Sequence, residues 1–466
     1  MSVAADFTAH EARQAAANSA RAARTRLLLE GPVGRTLTKL AAPNVLAMLV
    51  AAAMNIAEGA FAGMLGVTSL AGLALVYPLV MLVQMLSGGS IGGAISSAVA
   101  RALGAGDPER AGRLAVAAWV IAAVIALVFG MLVLWFGRAM FLALGGSEAV
   151  VNEAMSYAAV YFPGCATVWI AYASTSVIRG TGNMMTPSVL LLLASVLSIP
   201  LAGGLALGWG PLPALGMAGL ATGQITAFGL IAIMAVGYLL AGRAGLLPTV
   251  RGLAGDHFAA ILRVGVVASL SAIQTVVTIV AMTALIGRFG AAALAGYGLG
   301  ARLEFIMVPV VFGVGAAMTA MVGANIGAGQ AARAKRIAWT GTAAAAVIVG
   351  AIGLFFATFP DVWLRLFLAA QDEAALETGR LYFRTVAPFY CFFAAGLALY
   401  FASQGAGRVA WPVSAGFVRM FVAIGGGYLL AQSMEPGLPG VLVAIAGGMV
   451  AYGLVTIYGT WRTRWG

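Results

Sequence analysis

The chain has 466 residues, 62% of them hydrophobic and only 9% charged, with a mean hydropathy of +0.99. A soluble domain is about 25% charged, so a water-solvated globule is excluded and lipid is the main solvent. The formal net charge of +11 would suit a nucleic-acid binder, but the placement of the basic residues accounts for it differently.

The first 30 residues are rich in Ala and Arg, without an apolar core or a small-residue cleavage site. They read as a basic tail rather than a secretory signal. Asp6 and Glu11 count against a transit peptide. Beyond them, apolar runs of membrane length predict twelve helices near 37–63, 70–98, 114–136, 150–178, 187–208, 215–241, 258–287, 292–323, 337–358, 374–403, 411–431 and 438–460. Barrel strands would alternate at every second residue, and these runs do not. The 62 glycines, roughly twice the usual share, suit close helix packing in a membrane.

With the N-terminus inside, nineteen Lys and Arg fall on the cytoplasmic side and five on the outer side, with Arg302 and Arg419 inside spans. The positive-inside rule then puts both termini in the cytoplasm and explains the net charge without nucleic acid. The expected division is a cytoplasmic basic tail at 1–35, a six-helix lobe at 36–241, a cytoplasmic linker at 242–256 carrying Arg243, Pro248 and Arg251, and a second six-helix lobe at 257–466.

The two lobes are predicted to be repeats. Gly180-Thr181-Gly182 with Pro187 recurs as Gly405-Ala406-Gly407 with Pro412, and Pro163 recurs as Pro388, each at an offset of 225. Gly104-Ala105-Gly106 recurs as Gly327-Ala328-Gly329 at 223, and Leu70-Ala71-Gly72 as Leu294-Ala295-Gly296 at 224. A duplicated hydrophobic chain is the mark of a secondary transporter with a site between its halves. The fold expectation is an all-α membrane protein with twelve helices in two lobes around a central cleft.

Enzyme signals are missing from the sequence. His10 lies in the tail and His257 in the linker, and no HExxH, P-loop or CxxC motif occurs. Gly180-Thr181-Gly182 follows a membrane helix and lacks the third Gly of a dinucleotide fingerprint. Cys165 and Cys391 sit in apolar segments and imply packing rather than a disulfide or metal site. No cofactor is expected.

Of fifteen acidic residues, thirteen are assigned to tails or loops, leaving Glu58 and Glu304 within spans. Intramembrane carboxylates are costly and point to function. Such a group can load and release a proton near neutral pH. Asn55 shares a helix face with Glu58. Pro43, fifteen residues earlier, offers a bend about 22 Å along the axis. Glu304 is expected to pair with Arg419 across helices, as a structural pair or as part of the mechanism. Tyr77, Gln84, Gln224, Gln274 and Thr278 are candidate cavity residues or interhelical glue. Met81, Met85 and Met307 would suit an adaptable apolar pocket or core filling.

The runs NIAEGAFAGMLGVTSLAG at 55–72, ARALGAGDPERAGR at 100–113, RGTGNMMTP at 179–187, PALGMAGLATG at 213–223 and GARLEFIMVP at 300–309 together resemble the multidrug and toxin extrusion (MATE) family. The likeness covers roughly residues 32–460. It implies cation-coupled antiport exporting amphipathic, often cationic, small molecules. GARLEF resembles the DinF-like branch more than the NorM-like one. The family's first-span acid matches Glu58. Its span-five polar positions read here as Ser198 and Ala202, and its seventh-span acid as Gln274. Those departures weaken a sodium site and favour proton coupling through Glu58. The expected setting is a monomer in the inner membrane, with lipid and a small amphipathic substrate as partners. A lipid-linked-substrate flippase would need more intramembrane cations than Arg302 and Arg419, and a membrane scaffold would need a larger soluble region.

Overall fold

The structure is a computed structural model describing residues 2–368, 372–433 and 437–465, with side chains described from residue 15 onward apart from 52 and 305. The side chain of His10 therefore lies outside the described residues. A terminal helix, Ser2–Glu30, precedes twelve spans. They are Val33–Leu65, Val67–Gly104, Pro108–Ala143, the bent pair Glu148–Gly164 and Ala166–Gly180, Met185–Leu207, Gly216–Leu240, Gly255–Gly287, Ala291–Gly327, Ala331–Thr358, Glu373–Gly405, Ala410–Ser433 and Gly437–Arg462. Below they are spans one to twelve.

Each predicted span is a helix, with ends extended by up to a few turns. The punctuation predicted from Pro and Gly has physical causes. Span four bends by 46° just after Pro163, whose ring removes a ladder donor. Its repeat partner Pro388 lies in a 3-10 turn, Ala387–Phe389, that interrupts span ten. The second Gly of each Gly-x-Gly motif, at 106, 182, 329 and 407, has φ between 73° and 79°. Only glycine adopts this left-handed helix end without penalty. The first Gly serves packing. A Cβ on Gly180 would lie 2.7 Å from Val99, and one on Gly405 would lie 3.0 Å from Val322, so spans four and ten seat on spans two and eight in the same way.

Two hydrophobic cores fill the halves, but the first span of each half crosses over. Leu37, Leu40 and Ala41 of span one join the second core, while Ile261, Val264 and Ala268 of span seven join the first.

The lobes meet at the end of the bundle that carries the termini. A Cβ on Gly104 would stand 2.0 Å from the Ala324 carbonyl oxygen, and one on Gly327 would stand 2.0 Å from that of Arg101. These repeat-related glycines let spans two and eight touch backbone to backbone. Around them, Ser97 Oγ donates to the carbonyls of Gln404 (2.6 Å) and Gly405 (2.9 Å), and Gln404 Nε2 donates to those of Gly89 (3.1 Å) and Ser90 (2.9 Å).

The second half of the predicted basic tail is a helix docked on the bundle. Leu28 is buried beside Met184 and the second core. Arg24 donates to the Ala244 carbonyl (3.3 Å), and Asn325 Nδ2 donates to that of Leu28 (3.0 Å).

Candidate functional site

Glu58 lies buried late in span one. Tyr157 of span four places its hydroxyl 2.8 Å from Glu58 Oε1 and 2.8 Å from Gln224 Oε1 on span six. One phenol carries one proton and cannot donate to both. With Glu58 protonated, the carboxyl donates to Tyr157 and Tyr157 donates to Gln224, as the amide stands here. With Glu58 ionised, Tyr157 donates to the carboxylate. The amide turned end for end then donates its Nε2, unpartnered and buried in the present orientation, to the phenol. Gaining or losing one proton therefore reverses a three-residue chain across spans one, four and six. Tyr161 stacks on Tyr157 with ring centroids 5.5 Å apart.

The second lobe holds a related pair. Tyr382 of span ten donates to Glu304 of span eight, and Tyr390 donates to the Tyr382 hydroxyl (3.3 Å). Gly300, one turn before Glu304, makes the approach possible. A Cβ there would lie 2.2 Å from the Tyr382 ring.

This corrects the expected Glu304–Arg419 pair. Among the described residues, Glu304 makes no ion pair with either arginine. Arg419 stacks instead on Phe393 (4.8 Å to the ring centroid) and Tyr452 (6.0 Å), and Arg302 on Phe367 (5.8 Å). Span eight turns the Glu304 carboxyl toward span ten, where the tyrosines stand.

A cavity of about 540 Å³ lies in the second lobe, bordered on one side by Met85, Gly89 and Ser90 of span two. Gln274, Thr278, Arg302, Glu304 and Arg419 are among its lining residues. Tyr77, Gln84 and Gln224 are not among its lining residues. Gln224 serves the Glu58 chain instead, and Met307 is buried in the second core. Asn55 shares a helix with Glu58 but not a hydrogen bond; its Nδ2 donates to the Ala51 carbonyl (3.2 Å). Span one runs unbroken through Pro43. Two acids assigned to loops fall within the predicted ranges 150–178 and 374–403 and lie on helices there: Glu153, which accepts from Ser69 Oγ (3.0 Å), and Glu377 in the first turns of span ten. His257 opens span seven, and Cys165 and Cys391 are free thiols.

Sequence reasoning missed Tyr157 and Tyr382. Neither stands out within its own segment, but the two lie 225 residues apart (382 − 157), the offset of the Gly180 and Pro163 repeats, and that coincidence was readable.

The model of the MatE family matches residues 43–202 and again 268–429. The chain belongs to the MatE family. Its two matches begin 225 residues apart (268 − 43), so each lobe is one MatE unit. MatE proteins are transporters rather than enzymes. Relatives include a protein named FAD transporter from Shewanella oneidensis, 24% identical over 66% of this chain and 69% of that one. Another is the probable multidrug resistance protein YoeA from Bacillus subtilis, 26% identical over 86% of this chain and 87% of that one. The fold matches a MOP superfamily transporter from Pyrococcus furiosus, with a TM-score of 0.87 at 22% identity over 94% of this chain and 97% of that one. It also matches a multidrug resistance MATE family transporter in an outward-facing conformation, with a TM-score of 0.85 at 22% identity over 93% and 96%.

Proposed function

We propose that this chain is an efflux antiporter for amphipathic small molecules, driven by proton uptake on Glu58. The observation that carries the reading is the buried chain from Glu58 through Tyr157 to Gln224. It ties the protonation state of one carboxyl to the hydrogen bonds between three spans. A proton reaching Glu58 from outside would reset that chain and shift span one, with Pro43 as the place where the helix gives. Span one packs into both cores, so its shift would bear on both lobes.

A sodium ion would need several oxygen ligands. The seventh-span position that would supply an acid is Gln274, and the polar neighbours of Glu58 are a phenol and an amide. This supports the proton. The basic residues at the termini end support an inner-membrane orientation with both termini in the cytoplasm, and GARLEF supports the DinF-like branch. One relative is named for FAD, an anionic cargo, so no charge is assigned to the substrate at this stage.

Purified protein in dye-loaded vesicles tests the reading, with pH and sodium gradients imposed separately. Export driven by the pH gradient alone is expected. Export driven only by sodium would overturn proton coupling.

A further inference from the structure

We infer that the cavity of the second lobe binds aromatic anions, with Arg419 as the recognising group. The inference rests on the transport reading and specifies its substrate class. Three charged residues line the cavity: Arg302, Glu304 and Arg419. Glu304 is already held by Tyr382. Among the described residues neither guanidinium makes an ion pair, although Arg419 is near enough to Glu304 for their charges to attract, and both lie on aromatic faces. The wall therefore carries a surplus of positive charge with its hydrogen-bond donors unspent.

Stacking leaves the edge of a guanidinium free, and that edge matches a carboxylate or phosphate in a two-point fork. Arg419 rests against the neighbouring rings of Phe393 and Tyr452, and that contact reduces the side-chain freedom to be lost on binding. One neutral donor on the same wall also awaits a partner: Ser271 Oγ lines the cavity and is buried without a hydrogen bond, and its hydroxyl can donate to an anion. Tyr297, Phe312 and Tyr400 give the cavity flat apolar faces against which a ring system packs. A cationic ligand in this space would face two guanidiniums and one engaged carboxyl. The expectation of cationic cargo therefore has little to support it at this wall.

The test uses two dyes with one ring skeleton and opposite charge, fluorescein and rhodamine 6G, titrated against the full-length protein in detergent by fluorescence polarisation. Binding is read at equilibrium without a gradient, so it stands or falls independently of Glu58 coupling. Fluorescein is expected to bind at least tenfold more tightly than rhodamine 6G. Arg419→Gln should weaken fluorescein binding at least tenfold, and Arg419→Lys, which keeps the charge but loses the fork, should weaken it less. Equal or tighter rhodamine binding, an absence of saturable fluorescein binding, or unchanged fluorescein affinity in a folded Arg419→Gln protein overturns the inference. If Arg419→Gln fails to elute as a single species, the wild-type comparison of the two dyes decides.

Discussion

Tyr157 and Tyr382 occupy equivalent positions of the two repeats, and each sets its hydroxyl in a hydrogen bond with an intramembrane carboxyl group. The acids they serve are not equivalent. Glu58 comes from the first span of its lobe and Glu304 from the second of the other. Duplication supplied one tyrosine to each lobe, and the lobes met it with acids from different helices. The chemistry therefore repeats in its donor and diverges in its acceptor. Loss of either hydroxyl leaves a carboxyl group without its hydrogen-bond partner, which costs about 1–3 kcal/mol where the group is fully buried, as Glu58 is. Tyr157→Phe and Tyr382→Phe should both lower the thermal unfolding midpoint in detergent. Tyr157→Phe should also slow pH-driven export by about tenfold, the equivalent of about 1.4 kcal/mol. Wild-type export by Tyr157→Phe would separate Tyr157 from coupling.

The contact between Gly104 and Gly327 leaves no room for a methyl group. Gly104→Ala and Gly327→Ala should each disfavour the closed termini end by about 1–3 kcal/mol, the usual cost of overpacking. Spin labels at Ala105→Cys and Gln330→Cys, in the loops just past these glycines, should report a longer mean distance in either variant. An unchanged distance distribution would show that the closure does not depend on backbone contact.

The terminal helix touches the linker at Ala244 through Arg24 and the second half through Asn325, which donates to Leu28. Asn325→Ala removes a buried donor that also reaches the Met321 carbonyl (2.8 Å). Hydrogen exchange in residues 15–30 should accelerate in this variant, while exchange in spans four to six stays as in the wild type. Equal protection of residues 15–30 in both proteins would show that the helix is held by other contacts.

Asp361 lies between spans nine and ten and accepts two hydrogen bonds from Arg380, at 2.7 and 2.8 Å. These bonds, with help from Arg365, hold its carboxyl down to about 2. A carboxyl depressed in the folded state contributes stability above its unfolded value, near 4. That stability is lost as pH falls through the folded value. The pair is part-exposed, so its worth is about 0–1 kcal/mol. Asp361→Asn should lower the unfolding midpoint slightly and evenly from pH 5 to 8, with the difference shrinking toward pH 2. A difference that grew on acidification would contradict the assignment.

The architecture was legible because membrane helices must be long and apolar, and because glycine and proline stop or seat them at repeat-related places. Glu58 was legible because an acid inside an apolar run is costly. Its partner was not, since a tyrosine fits an apolar helix whether or not its hydroxyl is used. The expected pair of Glu304 with Arg419 failed for a reason of direction. Charge and proximity in sequence do not say which way a span faces, and span eight presents Glu304 to Tyr382 while Arg419 finds the rings of Phe393 and Tyr452. For Gln224 polarity left two readings, a cavity residue or a bridge between helices, and its bond to Tyr157 is the second.

The most direct test of the central claim is Glu58→Gln in vesicles with an imposed pH gradient. The amide keeps the shape and a hydrogen bond to Tyr157 but cannot exchange a proton. The account predicts a folded, membrane-inserted protein whose pH-driven export falls to the level of protein-free vesicles. Export at the wild-type rate by Glu58→Gln would contradict it.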